Sequence, residues 1–300
     1  MEVVGLTQEW VARSLPARPP RAHKGTFGRL LIVAGSLEYA GAALLAGLGA
    51  IRTGVGLACL ATPEAVGTRL MGLVPELTSM LLPEEAPGLT APGGWRRLAA
   101  EAPTYDALVV GPGLGRQPAT LRRARTFISE LRRPAVIDAD GLTALAEVQR
   151  WWQSVRAPLV LTPHPGEFAR LMRVPEAESL ADDDAQRAEA AREAAASWGQ
   201  VVVLKGAYTV IGSPTGGLLR SDIATPALAT AGSGDVLAGA IGAFLAAGLD
   251  PFDAAGCGVA VHGAAGLLAE DRIGQSGVVA RDIANLLPTA MQQLRGGRGR

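Results

Sequence analysis

Six short runs that are apolar at nearly every position constrain this chain more than any other feature. They are Leu30–Ala34, Leu57–Ala61, Ala107–Val110, Ala135–Ile137, Leu159–Leu161 and Val201–Leu204. A strand without polar alternation has both faces covered, which is the condition of a parallel sheet held between helical layers. Helix-like segments separate the runs, near Ala40–Thr53, Ala119–Leu131, Leu142–Val148 and Ala185–Ser197. That rhythm predicts an α/β fold with a mostly parallel, doubly wound sheet. Tyr208–Ile211 and Gly217–Leu219, on either side of Ser213-Pro214-Thr215-Gly216, predict a hairpin. The last third reads as helical over Asp235–Ala247, Pro251–Glu270 and Ala280–Leu287. Pro83–Gly94 reads as a surface loop and Arg295–Arg300 as a frayed tail.

Composition narrows the class of function. At 300 residues, 48% hydrophobic and 19% charged, the chain is long and apolar enough to bury a sizeable core. A formal net charge of zero and 4% aromatics argue against a nucleic-acid partner, which needs a basic footprint or a stacking platform. Cys59 and Cys257 have no metal or redox spacing and read as buried thiols of a reducing compartment. The amino-terminal MEVVGLTQEW has no basic stretch before an apolar one, and the apolar segments Ala40–Ile51 and Val236–Ala247 are too short to cross a bilayer. A cytoplasmic enzyme with small-molecule partners, and with neither membrane nor nucleic acid, is the expectation.

Polar or glycine-rich loops follow the apolar runs at Gly35-Ser36, Gly111–Arg116, Asp138–Gly141, Thr162–Glu167 and Gly206. Ligands of open α/β sheets bind outside the carboxyl ends of strands, so these loops are expected to line one cleft. The turn Gly232-Ser233-Gly234-Asp235 leads into an apolar helix. Its glycines let successive amides point one way, and the helix start adds free N–H groups and the positive dipole end, which together make an anion site. On spacing alone Asp235 reads equally as a helix cap and as a general base for a substrate hydroxyl. No Gly-Lys-Ser/Thr follows, so the turn is not a Walker A loop. In Gly111-Pro112-Gly113-Leu114-Gly115 the third glycine comes one residue too early for the dinucleotide fingerprint. By its residues alone His164, in a Pro-His-Pro turn, reads as structural, as does His262 inside the Gly/Ala-rich stretch Ala254–Leu268. The two lysines, Lys24 and Lys205, each precede a glycine beside one of the segments singled out here.

Taken in chain order, these pieces match a family pattern. They are His23-Lys24-Gly25-Thr26-Phe27-Gly28, Gly35-Ser36 with Tyr39-Ala40-Gly41-Ala42, Gly111–Gly115, Asp138-Ala139-Asp140-Gly141, Thr162-Pro163-His164-Pro165-Gly166-Glu167, Lys205–Thr209 and Gly232–Asp235. The set resembles the ribokinase-like superfamily and, within it, the ADP- or ATP-dependent NAD(P)H-hydrate dehydratases. The His-Pro-Gly-Glu run best separates these from related kinases. The resemblance implies a three-layer α/β/α sandwich, with residues 1–22 as an extension, 23–290 as the dehydratase domain and 291–300 as an Arg/Gly-rich tail. It also implies a lyase that repairs (S)-NAD(P)H hydrate through a phosphorylated intermediate, with ADP leaving as AMP and phosphate. Many relatives carry an epimerase domain for which residues 1–22 leave no room, so a separate epimerase is expected. The resemblance further implies a homo-oligomer, a tetramer, and Mg²⁺ held through water and substrate oxygens with no direct protein ligand.

Carried over residue by residue, the resemblance makes Asp235 the catalytic base and sets the amides of Gly232, Ser233 and Gly234 around the transferred phosphoryl group. It assigns Ala42, Gly113, His164 and Asp235 to the hydrate. Lys205, Gly206, Ala207, Tyr208, Thr209 and Gly234 are assigned to ADP. His23 and Lys24 either reach phosphates across the cleft or anchor the first strand. Asp138 and Asp140 either bind a ribose, a metal-bound water or a backbone amide, and Glu167 serves either a metal or a helix cap. A vitamin-type small-molecule kinase of the same fold, and a catalytically silent nucleotide-binding protein, are the alternatives.

Overall fold

The structure, a computed structural model, describes residues 3–174 and 183–296. Strands β1 (Val4–Gly5), β2 (Arg29–Val33), β3 (Leu57–Pro63) and β4 (Thr78–Leu82) precede a small separate hairpin of β5 (Glu84–Ala86) and β6 (Leu89–Thr90). The rest follow as β7 (Ala107–Val110), β8 (Ala135–Ile137), β9 (Leu159–Leu161), β10 (Val201–Leu204), β11 (Val210–Gly212) and β12 (Leu218–Arg220). The main sheet runs β1-β12-β11-β10-β9-β8-β7-β2-β3-β4. Its pairings are parallel except where β11 meets β10 and β12. The chain winds outward from β2 through β3 to β4, then returns to the other side of β2 and winds out through β7, β8, β9 and β10. The two windings part between β2 and β7, and the loops after these strands open a crevice there.

All six apolar runs are strands of this sheet, and their residues alternate between two cores. Leu30, Ile32, Ala107, Val109, Val136 and Val203 face one; Leu31, Val33, Leu108, Val110, Ile137 and Leu204 face the other. The first core is closed by the helices Ala40–Thr53, Ser233–Ala246, Pro251–Ile273 and Ala280–Leu294, the second by Pro118–Glu130, Asp140–Ala146 and Asp184–Trp198 among others. The first layer owes its density to missing side chains. A Cβ added at Gly239 would lie 2.0 Å from the Ala46 carbonyl oxygen, and one at Gly49 would lie 2.3 Å from that of Val236. Backbone therefore packs on backbone between Ala40–Thr53 and Ser233–Ala246, and this seats the amino end of the second helix at the strand ends. Pro251–Ile273 is long and apolar enough to cross a membrane by length and composition, but its most apolar window is 72% buried inside the fold, where it serves as a core helix.

Four stretches differ from the sequence expectation. Pro83–Gly94 is not a plain loop: it holds the β5–β6 hairpin, stitched by Glu84 Oε1 accepting from the amides of Ala65 and Gly88, and the start of a helix over Pro92–Glu101. The Pro at the first helical position needs no N–H partner, so it begins that helix rather than interrupting it. The last helix does not stop at Leu287 but continues through Pro288 to Leu294, held by buried Ile283, Leu287 and Ala290 on one face. The hairpin strands begin one to two residues later than expected, because Tyr208 and Thr209 belong to the turn. Residues 4–15 are built into the fold: β1 pairs with β12, and Val11 and Leu15 lie in the first core. Of the tail, Arg295 donates to the Pro16 carbonyl at 2.6 Å, and residues 297–300 lie outside the described residues.

Candidate active site

Gly232 adopts φ 87° and delivers the chain into Ser233–Ala246, with no side chain capping the helix. The Ser233 amide, expected from sequence to face the phosphoryl group, is not available to a ligand, because it donates to the Thr230 carbonyl at 3.2 Å. The Gly232 and Gly234 amides on either side have no such backbone partner among the described residues at the carboxyl edge of the sheet, which suits an anion. Ser233 is buried, and His262 lies against it, with Nε2 3.0 Å from the Ser233 carbonyl oxygen and 3.1 Å from its Oγ. Burial lowers the His262 pKa to about 4, so the ring is neutral. A cavity of ≈ 650 Å³ opens beside the turn, walled by Lys205, Gly206, Ala207, Thr209, Ser233 and Gly234 together with His262 and an apolar floor. A nucleoside diphosphate fits a space of that size. Tyr208 is not among its lining residues; it occupies a left-handed turn (φ 55°) and is 39% exposed.

Asp235 does not cap the helix through its side chain. Burial pushes its carboxyl up to about 7, reinforced by Asp138, opposed by Lys205, and reinforced again by Asp140 and Glu167. Lys205 holds this cluster together: Nζ lies 3.0 Å from Asp138 Oδ1 and 3.9 Å from Glu167 Oε2. Burial works against the ammonium, yet the Asp138 and Glu167 carboxylates outweigh it and raise the Lys205 pKa. Thr162 donates to the same Asp138 oxygen at 2.8 Å. Between the two aspartates Ala139 stands at φ 49° and ψ −117°, a strained conformation for a residue with a Cβ. The strain aims the neighbours apart: Asp138 toward Lys205, and Asp140 toward the Gly115 amide (2.9 Å) and the Arg116 Nε (3.2 Å). Of the roles open to Asp140, the structure shows the backbone-amide one.

The crevice between β2 and β7 is built from glycine turns. The Gly35 amide donates to the Pro112 carbonyl at 2.9 Å, which ties the two loops. At Gly113 (φ 60°) a Cβ would lie 2.6 Å from the Tyr39 carbonyl oxygen and 2.9 Å from the Ala42 Cβ, so the two small residues expected to face the hydrate are neighbours. His164 caps Pro165–Met172, with Nδ1 accepting from the amides of Gly166 (3.1 Å) and Glu167 (3.4 Å). Glu167 Oε2 in turn accepts from the His164 amide at 2.9 Å. The Nε2 edge is left toward solvent and toward Glu167 Oε1 at 3.6 Å, with the ring half-exposed. Burial lowers its pKa against the opposing pull of Glu167. His164 and Glu167 are thus both a capping box and part of the charged cluster.

His23 and Lys24 do not reach across the cleft. The Lys24 carbonyl packs on Gly56, and the Phe27 carbonyl accepts from the Gly56 amide, so this segment sits at the amino ends of β2 and β3, away from the cleft. Two contributors were not singled out by sequence. One is the contact of His262 with Ser233. The other is Arg187, fully buried, whose guanidinium donates to the Ala207 carbonyl beneath the Lys205–Thr209 loop and pairs with Asp184. Its spacing with Ala191, Ala194 and Trp198 on the buried face of Asp184–Trp198 is the signal that places this arginine inside.

The sequence profile described as NAD(P)H-hydrate dehydratase matches residues 30–289, a span that includes the crevice, the charged cluster and the turn Gly232–Asp235. The chain belongs to this family. A relative from Moorella thermoacetica, named as a bifunctional NAD(P)H-hydrate repair enzyme, is 40% identical over 96% of this chain and 54% of its own length. The chain therefore spans about half the length of several curated relatives it matches. The Bacillus subtilis ADP-dependent (S)-NAD(P)H-hydrate dehydratase is 37% identical over 96% of this chain and 98% of its own. The crystal structure of the ADP/ATP-dependent NAD(P)H-hydrate dehydratase from B. subtilis, co-crystallised with ATP and Mg²⁺, superposes with a TM-score of 0.84 at 36% identity, covering 98% of this chain and 99% of that one. This dehydratase-family chain thus has the ribokinase-like α/β/α sandwich with a mostly parallel sheet.

Proposed function

We propose that this chain removes water from (S)-NAD(P)H hydrate at the expense of ADP or ATP, restoring NAD(P)H and releasing phosphate. One observation carries the reading beyond family membership: the Asp235 carboxyl, raised to about 7, stands at a helix start beside the nucleotide-sized cavity and couples both to Lys205 on that cavity and to Asp140 on the crevice loop. At neutral pH a large fraction of Asp235 is ionised and basic enough to take the proton of the ring hydroxyl. The hydroxyl oxygen then bonds the terminal phosphorus of the nucleotide while the bond to the departing AMP (or ADP) breaks. The amides of Gly232 and Gly234 and the Lys205 ammonium stabilise the charge on the transferring group. Phosphate then departs with the carbon–oxygen electron pair, the ring nitrogen supplies electrons, and a proton lost from the adjacent carbon restores the double bond. Ala42 and Gly113 leave the space in which the puckered ring approaches Asp235, and His164 offers Nε2 on the hydrate side.

Among the described residues no group of three or more His, Cys, Asp or Glu side chains is arranged to hold a metal ion. The hard oxygens of Asp138 and Glu167 beside Lys205 fit Mg²⁺ carried on phosphate oxygens and water, where it would offset phosphate charge. A separate epimerase that interconverts the hydrate epimers, a symmetric tetramer and a cytoplasmic location complete the proposal. Relatives named as bifunctional repair enzymes support the first. Light scattering of the purified chain tests the second. The deciding experiment mixes hydrate with ADP, and in parallel with ATP, and follows the near-ultraviolet absorbance of reduced nicotinamide. Its return together with free phosphate is expected. No return with either nucleotide, or accumulation of a stable phosphate ester, overturns the dehydratase reading, and the ester points to a kinase.

A further inference from the structure

His262 stands on the 23-residue helix Pro251–Ile273, buried among small residues, and belongs to neither end of the reaction as described. Its Nε2 meets two oxygens of one residue, the Ser233 carbonyl at 3.0 Å and the Ser233 Oγ at 3.1 Å. A carbonyl has no hydrogen to give, so the ring nitrogen must carry the proton. The opposite tautomer would set two lone pairs against each other in a buried site. With Nε2–H as donor, Ser233 Oγ is approached as an acceptor, and its own hydrogen is turned away from His262. Both residues line the nucleotide cavity beside Gly234 and Lys205, so the space into which that hydrogen turns is where the phosphate end of the nucleotide would lie.

We infer that His262 is a positioning residue: through its Nε2–H it holds the Ser233 carbonyl and hydroxyl so that the hydroxyl, with the neighbouring amides, donates to the transferred phosphoryl group. The inference rests on the phosphoryl-transfer reading of the turn and adds a hydroxyl donor to the backbone amides and the Lys205 ammonium. The ring stays neutral at working pH, because burial lowers its pKa and Lys205 adds to that, so the tautomer persists. Its support is rigid: a Cβ at Gly258 would lie 2.4 Å from Ile241 Cγ1, and one at Gly263 would lie 3.1 Å from Ile223 Cδ1. A prop on a packed helix holds a hydroxyl more narrowly than a loop does.

The test compares Ser233→Ala, His262→Leu, the double variant and His262→Gln by turnover, and by calorimetric titration with ADP and with AMP, which lacks the terminal phosphate. Ser233→Ala is expected to lower kcat about 100-fold, the scale of one lost donor to a developing anion. His262→Leu should match it within a few fold, and the double variant should fall no further than Ser233→Ala. The Gln side-chain amide nitrogen reaches about as far as Nε2, so His262→Gln should recover most of the turnover. Affinity for ADP should fall in Ser233→Ala and His262→Leu while affinity for AMP holds. Full turnover in His262→Leu, multiplying effects in the double variant, or equal losses for ADP and AMP would each overturn the inference and make His262 a nucleoside contact or a core residue. Should His262→Leu not fold, His262→Asn, whose amide stops short of Ser233, takes its place with the same expected outcome. The titrations need no hydrate, so failure of the wild-type protein to repair hydrate, together with an ADP-specific loss in the two variants, would sink the dehydratase reading and leave this one standing.

Discussion

At the phosphate end of the cleft the wall is made of things present: helix amides after Gly232, the Lys205 ammonium, buried Ser233 and a cavity of ≈ 650 Å³. At the Ala42–Gly113 end it is made of things absent. Positive φ at Gly35, Gly111 and Gly113 lets two loops cross where side chains would collide, and the residues that remain are small. One end acts by charge and is sensitive to what a group carries; the other acts by shape and is sensitive to what a backbone may adopt. The cluster of Lys205, Asp138 and Glu167 lies between them and sets the proton affinity of Asp235.

The strongest way to break this comparison is to remove charge while keeping shape. Asp235→Asn is isosteric and should lower turnover by about 100-fold or more, the contribution of a general base, while ADP titrations stay near wild type. Unchanged turnover would remove Asp235 as the base. The converse change adds a methyl and no charge. In Gly111→Ala the Cβ would lie 1.8 Å from the Asp138 carbonyl oxygen at φ 134°, so we expect a loss of about 3 kcal/mol in denaturant unfolding with activity falling alongside. A loss below about 1 kcal/mol would mean that the crevice loops yield easily and that shape is not their contribution.

Titration tests the cluster in the middle. Turnover efficiency should rise with pH through about 7 as Asp235 ionises. Asp138→Asn removes a carboxylate that raises the Asp235 pKa and should move this limb to lower pH; Lys205→Ala removes the opposing cation and should move it higher. Shifts of the same sign in both variants would unseat the assignment of the limb to Asp235. Stability follows the same linkage. A folded-state pKa raised above the ordinary carboxyl value favours the fold below about 4, and that advantage is lost as pH climbs through about 7. Asp235→Asn should therefore gain stability relative to wild type over that window, read as a rising difference in Tm. The smallest effect expected is at His164. Asn keeps an N-cap acceptor and loses Nε2, so His164→Asn should weaken hydrate binding several-fold while ADP binding holds and stability changes by less than about 1 kcal/mol. Equal weakening of both ligands would make His164 a cap alone.

Much of the fold is legible because runs of three to five apolar residues, too short for a helix and separated by helix-like segments, fit strands covered on both faces. All six are strands, four of them with the expected ends. What escaped lay at edges. β4 is half exposed and β1 is two residues long, so neither carries the apolar signature; Pro92 and Pro288, read locally, argue for a break where the fold continues. At the site the motifs located the loops but not the direction of each side chain. The motif makes His164 either structural or ligand-facing, and the structure gives it a cap on one nitrogen and an open edge on the other. The motif leaves Asp140 three roles, and it bonds an amide; of the two roles open to Lys24, reaching phosphate and anchoring the first strand, its place at the amino ends of β2 and β3 fits the second.

By itself the sequence determined the layered α/β architecture, the glycine turn at Gly232–Asp235 that opens an apolar helix and the family to which such a set of motifs belongs, because periodicity, glycine spacing and residue chemistry are local properties. Only the tertiary structure decided which carboxylates share Lys205, that Asp235 is lifted to about 7, and that His262 and Arg187 brace the Gly232–Asp235 turn and the Lys205–Thr209 loop. Those facts depend on desolvation and on distances between residues far apart in the chain, such as the 67 positions between Asp138 and Lys205. Electrostatic coupling follows separation in space, and the chain order does not contain it.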